Sequence, residues 1–250
     1  MNTTWIKFGL WEIKRNFSSI LDDDAERILD DAVAELDATK KKFEERQGKT
    51  HDSRLAPEPW GYRIYPDNPL CFKPRTIGGL NLWVDLYCTV LWEKEEELPV
   101  KQDIHLRVWS DEIDYIYRPD WDSKVVYNRL TEGRVMLRCH FDLANPNQDG
   151  PKYHFQFGGN PRGNELCWFP EVIKLPRLPY PPMDLILVCQ LIAANFYWKD
   201  YIEFQETPEW KSALRRSQAY LLKGYYEGCL SALDQDLLVK HLWNTRDVEK

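Results

Sequence analysis

Between Gly133 and Gly159 the chain reads GRVMLRCHFDLANPNQDGPKYHFQFGG, the densest set of reactive side chains in the sequence. Val135, Leu137, Cys139, Phe141 and Leu143 alternate with Arg138, His140 and Asp142. After a polar turn, Tyr153, Phe155 and Phe157 alternate with His154 and Gln156. Successive side chains of a strand point to opposite faces. One face of the expected hairpin is therefore apolar, and the other collects Arg138, His140, Asp142, His154 and Gln156. His140 and His154 come within reach of one another across the hairpin, with Asp142 two residues along. Imidazoles beside a carboxylate are ligands for a transition metal or an acid/base pair. The same residue types also make an ordinary polar sheet face, held by cross-strand hydrogen bonds and ion pairs. Asp85, His105 and Arg107 on the preceding strands extend this face. The eight residues Asp85, His105, Arg107, Arg138, His140, Asp142, His154 and Gln156 form the candidate binding surface. There is no H-E-x-x-H and no cysteine knuckle, so neither a metal nor a cofactor is expected from a motif.

Other chemistries leave less trace. No G-x-S-x-G marks a nucleophile, and Cys139 and Cys167 lie among apolar or aromatic neighbours, as inert buried thiols do. Gly158-Gly159-Asn160-Pro161-Arg162-Gly163 follows a strand but lacks the Lys-Ser/Thr of a phosphate loop. Lys152, Arg162, Lys174 and Arg177 surround Trp168, Phe169 and Tyr180, a mix that can grip single-stranded nucleic acid. Glu165 and Glu171 dilute that charge, so nucleic acid is the less favoured partner.

The elements that must position these residues follow in order. Trp5, Phe8, Trp11 and Ile13 make a first apolar helix, opened by Thr3 or Thr4. Ala25, Leu29, Ala32, Leu36 and Phe43 recur at helical spacing up to Gly48, in a segment acidic at its start and basic near its end, as the helix dipole prefers. Residues 49–78, with five prolines, read as an aromatic-rich loop. Leu80–Val90, Ile104–Val108 and Ile113–Tyr117 alternate as strands, with a further short strand at Val125–Tyr127. Val172–Tyr180 reads as extended. Met183–Trp198 is an apolar helix after two prolines. Thr207-Pro208 opens the next helix with a capping residue and a first-turn proline, which Gly224 and Gly228 weaken before a last helix, Leu230–Trp243. Helices, then strands, then helices predict a single α+β domain over residues 1–250: N-terminal helices in 1–48, a mostly antiparallel sheet of about five strands in 79–158, and C-terminal helices in 181–243. The helices should cover the apolar face and leave the polar face at least partly solvated.

With 43% hydrophobic and 14% aromatic residues the chain can build a real core. Its net charge of −7 argues against a generic nucleic-acid coat. No apolar run has membrane-spanning length, and the N-terminus lacks the pattern of a secretory signal. Six scattered cysteines without a C-x-x-C fit a reducing cytosol.

His154-Phe155-Gln156-Phe157-Gly158-Gly159, Leu175-Pro176-Arg177, Pro181-Pro182-Met183-Asp184-Leu185 and Ala194-Asn195-Phe196 form a motif set over residues 133–198. It resembles a family of uncharacterised bacterial proteins, some found near phage-defence or mobile-element genes. The resemblance implies a bacterial cytosolic protein with a defence or accessory role. Together with the lack of a nucleophile or cofactor loop, and with 11 Trp and 13 Tyr, it favours a non-catalytic accessory subunit acting through a protein partner. The alternative is a metal-assisted hydrolase or nuclease, acting on phosphodiesters with His140, Asp142 and His154 at its centre.

Overall fold

A computed structural model describes residues 3–47, 58–94, 98–110, 134–144, 150–158, 177–235 and 237–244. The chain is an α+β structure with an antiparallel sheet. Helices α1 (Thr3–Asn16) and α2 (Ala25–Gln47) come first. Strands follow: β1 (Trp60–Ile64), β2 (Leu70–Cys71), β3 (Arg75–Ile77), β4 (Leu80–Trp92), β5 (Lys101–Ser110), β6 (Arg134–Leu143), β7 (Gly150–Pro151), β8 (Tyr153–Phe157) and β9 (Leu178–Pro179). Helices α3 (Leu185–Phe196), α4 (Trp198–Phe204) and α5 (Pro208–Ser217) come next. A π-helical turn, Gln218–Leu222, joins α5 to α6 (Lys223–Asp234), before α7 (Leu238–Leu242) and a short β10 (Trp243–Asn244).

The main sheet runs β1-β4-β5-β6-β8-β9, and all its pairings are antiparallel. The outer edge of the long β4 is lined in turn by β1, β2 and β3. These three lie where the sequence suggested only a loop. Prolines bound them, and a five-residue strand such as WGYRI is too short to show a period. Gly61 is what lets β1 dock. A Cβ there would lie 2.0 Å from the Val90 carbonyl oxygen, and Thr39 of α2 both donates to the Gly61 carbonyl at 2.7 Å and accepts from its N–H at 3.1 Å.

One face of the sheet carries Val84, Leu86, Cys88, Val90, Ile104, Leu106, Val108, Cys139 and Phe141. They belong to one continuous hydrophobic cluster with α1, α2 and α3, extended by Phe204, Trp210, Ala213 and Leu221. Helices from both ends of the chain cover this face, as the alternation required. At the helix junction Phe17 packs on Phe204 and Trp210, with centroids 4.6 and 4.7 Å away. The Trp210 indole donates to Gln190 at 2.9 Å. Truncating so buried an aromatic typically costs about 3–5 kcal/mol.

Boundaries differ from the sequence reading in informative ways. The expected Met183–Trp198 helix starts after Asp184, whose carboxylate caps it by accepting from the Leu187 N–H at 2.9 Å, and α3 ends at Phe196. Gly224 and Gly228 do not weaken the helix end, since α6 runs through both to Asp234; the penalty per glycine is about 1 kcal/mol, which packing can override. Trp243 pairs with Pro151 in β10 rather than ending a helix. The expected strands at Ile113–Tyr117 and Val125–Tyr127 lie outside the described residues.

Candidate functional site

Three neighbouring strands set the site. In the β5–β6 register Asp103 faces Asp142, His105 faces His140, and Arg107 faces Arg138. In the β6–β8 register Asp142 faces His154 and His140 faces Gln156. The polar face thus carries a row Asp103–Asp142–His154 beside a row His105–His140–Gln156. Tyr87 of β4 stacks on His105 with centroids 4.4 Å apart and planes 12° from parallel. His105 and His140 follow at 5.3 Å, and His140 and His154 at 6.1 Å. A ladder of rings crosses four strands.

The face is not solvated as expected. His105, Arg107, Arg138, His140, His154 and Asp85 are all buried, His154 to 2% exposure. Asp142 and Gln156 are half-buried. The chain after β1 folds over part of this face, where the Pro66 carbonyl accepts from Arg107 at 3.2 Å. A polar alternation marks which residues share a face, but it does not say whether another segment lies on that face.

The eight candidate residues divide by what they touch. Arg107 grips Asp85 through two hydrogen bonds of 2.7 and 2.9 Å. Asp85 also accepts from the Trp109 indole at 2.7 Å, and the guanidinium lies against the Tyr87 and Trp109 rings. These two candidates form a buried, hydrogen-bonded structural pair. Arg138 donates to the Tyr87 hydroxyl at 3.1 Å. His105, His140, Asp142 and His154 converge, together with Asp103, which lies one position before the Ile104–Val108 alternation. Asp103 has the parity of His105 and could have been found by carrying the alternation two residues back.

Distances in the cluster are short. His140 Nε2 lies 3.1 Å from Asp142 Oδ2, and His154 Nε2 lies 3.8 Å from the same oxygen. His105 Nε2 lies 2.5 Å from Asp103 Oδ1. One donor atom from each of His140, Asp142 and His154 lies within 4.8 Å of the other two, and the same holds for Asp103, His105 and Asp142. The Nδ1 atoms of His105 and His140 are buried without a hydrogen-bond partner among the described residues, and the Asp142 carboxyl is hydrogen-bonded to Asp103.

Electrostatics follow from burial and crowding. Burial, then the charges of His105 and His154, bring His140 down to about 4. Burial, then the Arg177 guanidinium, lower His154. Burial, then the facing Asp103 carboxylate, push Asp142 up to about 9. Burial would also raise Asp103, but the hydrogen bond from His105 and its charge outweigh it and hold this carboxyl below its usual range. Neutral imidazoles are the form that binds a metal ion, and a divalent cation would relieve the crowding of two carboxylates.

Beside Asp103 and His105 a cavity of 190 Å³ is lined also by Arg63, Tyr65, Tyr87 and Thr89. It has room for several waters at about 30 Å³ each.

No protein-family model, curated protein or solved structure matches this chain. Function must therefore be argued from the site itself.

Elsewhere the candidates are plainer. The buried Cys88 thiol is pushed up to about 12 and the half-buried Cys71 thiol to about 11, in both cases chiefly by burial. Neither is an activated nucleophile. Cys139 is a buried thiol of the apolar face, and Cys167 lies outside the described residues. So do Arg162, Lys174, Trp168 and Phe169 of the suggested nucleic-acid patch. Its described members are Lys152, which is exposed, the half-buried Arg177, and Tyr180, which packs on Phe141 at 5.3 Å. No helix among the described residues is long and apolar enough to cross a membrane.

Proposed function

We propose that this chain is a divalent-metal-dependent hydrolase of phosphate esters, with Asp103, His105, His140, Asp142 and His154 as the metal-binding set. One observation carries this reading: two triads of imidazole and carboxylate donors converge within coordination range on one buried face. Mixed nitrogen and oxygen donors suit zinc or manganese. Bound there, the metal supplies Lewis acidity and an activated water. The chain's own residues would do the rest. Tyr87 and the strand registers fix the imidazole planes, the adjoining cavity admits water, and Arg138 and Arg177 add positive charge near Asp142 and His154 that favours an anionic substrate. The sequence alone favoured a non-catalytic subunit, because no contiguous motif announces this donor set.

The test is hydrolysis of a simple phosphodiester, bis(p-nitrophenyl) phosphate, by chelator-stripped protein reloaded with zinc or manganese. Metal-dependent turnover that a His140→Ala, His154→Ala variant loses while staying folded is the expected result. A reloaded, folded chain without turnover removes the hydrolase reading.

A second reading is an accessory subunit that binds a protein partner, in the bacterial defence or accessory setting that the resemblance of residues 133–198 implies. Tyr226, Leu230 and Leu233 on α6 favour it. They are 51%, 63% and 55% exposed and lie one above the other at four- and three-residue spacing. Tyr226→Lys, Leu230→Lys substitution should abolish co-purification of any partner from the native host. An unchanged set of co-purifying proteins counts against this surface.

A further inference from the structure

The metal reading leaves open how many ions the face holds. Ligands at about 2.0–2.2 Å from one tetrahedral ion lie roughly 3.4 Å from each other. His140 Nε2 and His154 Nε2, at 3.1 and 3.8 Å from Asp142 Oδ2, match that spacing. Asp103 and His105 form a second group on β5, and Asp142 is the residue that belongs to both triads. His105 and His154 stand on strands separated by β6, about 9.6 Å apart at the usual strand spacing. No described donor set within 4.8 Å contains both. A single ion cannot use all five residues.

Resting on the metal-dependent reading, we infer that the centre is binuclear, with one ion held by His140 and His154, a second by Asp103 and His105, and the Asp142 carboxylate bridging them. A carboxylate has two oxygens, and each can take one ion. Oδ2 of Asp142 faces His140 and His154, while Oδ1 is buried and the carboxyl is hydrogen-bonded to the facing Asp103 of the second group. The cavity that opens beside Asp103 and His105 gives the second ion its route to water. Two divalent ions against two carboxylates leave a positive centre that an anionic ester would neutralise. Paired ions about 3.5–4 Å apart clamp the attacking and leaving oxygens of a phosphoryl displacement.

Equilibrium dialysis of the chelator-stripped chain against Mn²⁺, with electron paramagnetic resonance of the loaded protein, tests this without any assay of activity. Two ions per chain and an exchange-coupled spectrum are expected. His105→Ala and His154→Ala should each retain one ion with the spectrum of an isolated Mn²⁺, and Asp142→Ala should retain none. One ion per chain with an isolated-ion spectrum, unaffected by His105→Ala, overturns the binuclear centre and leaves the metal-dependent reading standing. No bound ion in a folded, unmutated chain overturns both. The spectrum of the unmutated protein decides between one ion and two even where a variant fails to fold.

Discussion

Asp103 and Asp142 stand directly opposite each other on β5 and β6, two carboxylates on the same buried face. Like charges directly opposed across a strand pair are destabilising, and the proton that Asp142 holds up to about 9, hydrogen-bonded to Asp103, offsets this until a cation takes its place. Asp142→Asn keeps the shape of the protonated acid but has no proton to give up to a cation. The metal-free variant should melt at or above the unmutated protein. Its affinity for Mn²⁺ or Zn²⁺ should fall by more than the 10–100-fold or so that loss of an outer-shell partner costs. Thermal melts with and without metal give both numbers. A lower metal-free melting temperature together with unchanged metal affinity contradicts this account of the pair.

The Asp85–Arg107 pair should respond in the opposite way. Both side chains are 5% exposed, and Arg107 also reaches the Pro66 carbonyl. Removing one partner of a buried ion pair strands the other charge and typically costs about 3–5 kcal/mol. Asp85→Ala should lower the unfolding free energy from denaturant titration by that amount, with no change in metal stoichiometry where the protein is folded. A loss under about 1 kcal/mol would mean that the pair behaves as if solvated.

Thr207 sits at the N-cap position of α5, before Pro208, but its hydroxyl caps nothing. It lies 2.9 Å from the Phe204 carbonyl and 3.0 Å from Asn16 Oδ1, tying α5 to the end of α1. Thr207→Ala should therefore cost about 0.5–1.5 kcal/mol as a lost hydrogen bond. Thr207→Ser should be near neutral. Thr207→Asp should fail to rescue, although aspartate is the better cap, because it brings an acceptor to two acceptors. Rescue by aspartate in equilibrium unfolding would restore the capping role.

Asp184 caps α3 and also accepts from the Ser217 hydroxyl at 2.5 Å. Burial raises its carboxyl above the ordinary range more than these hydrogen bonds lower it. A folded-state pKa above the unfolded value means that the native state holds the proton more tightly. Its contribution to stability is then present below the unfolded value of about 3.9 and is lost as pH rises from there through the folded pKa. Asp184→Asn keeps an acceptor for Leu187 and can donate to Ser217. Its melting temperature should fall less than that of the unmutated chain between acidic and neutral pH. Parallel curves for the two proteins would show that Asp184 is not the group responsible.

The sequence by itself determined the class and the sides. Period-two alternation over Leu80–Val90, Ile104–Val108 and the hairpin after Gly133 is local information, since parity alone assigns each side chain to a face. It was enough to call for helices over the apolar side and to put His105, His140, Asp142 and His154 on the other. The small strands β1, β2 and β3 were hidden because two to five residues between prolines show no period.

What only the tertiary structure decided is which residues stand opposite one another and what becomes buried. Asp103 meets Asp142, and Asp85 meets Arg107, through the registers of β5 on β6 and of β4 on β5. Thr207 gave up its cap to reach Asn16, 191 positions away. Register and burial depend on the pairing energy of whole strands and on the segments laid over them. A one-residue slip would turn every side chain to the other face. Spacing along a single strand carries no information about its partner, so Asp103 joined His105, His140, Asp142 and His154 only when three strands lay side by side.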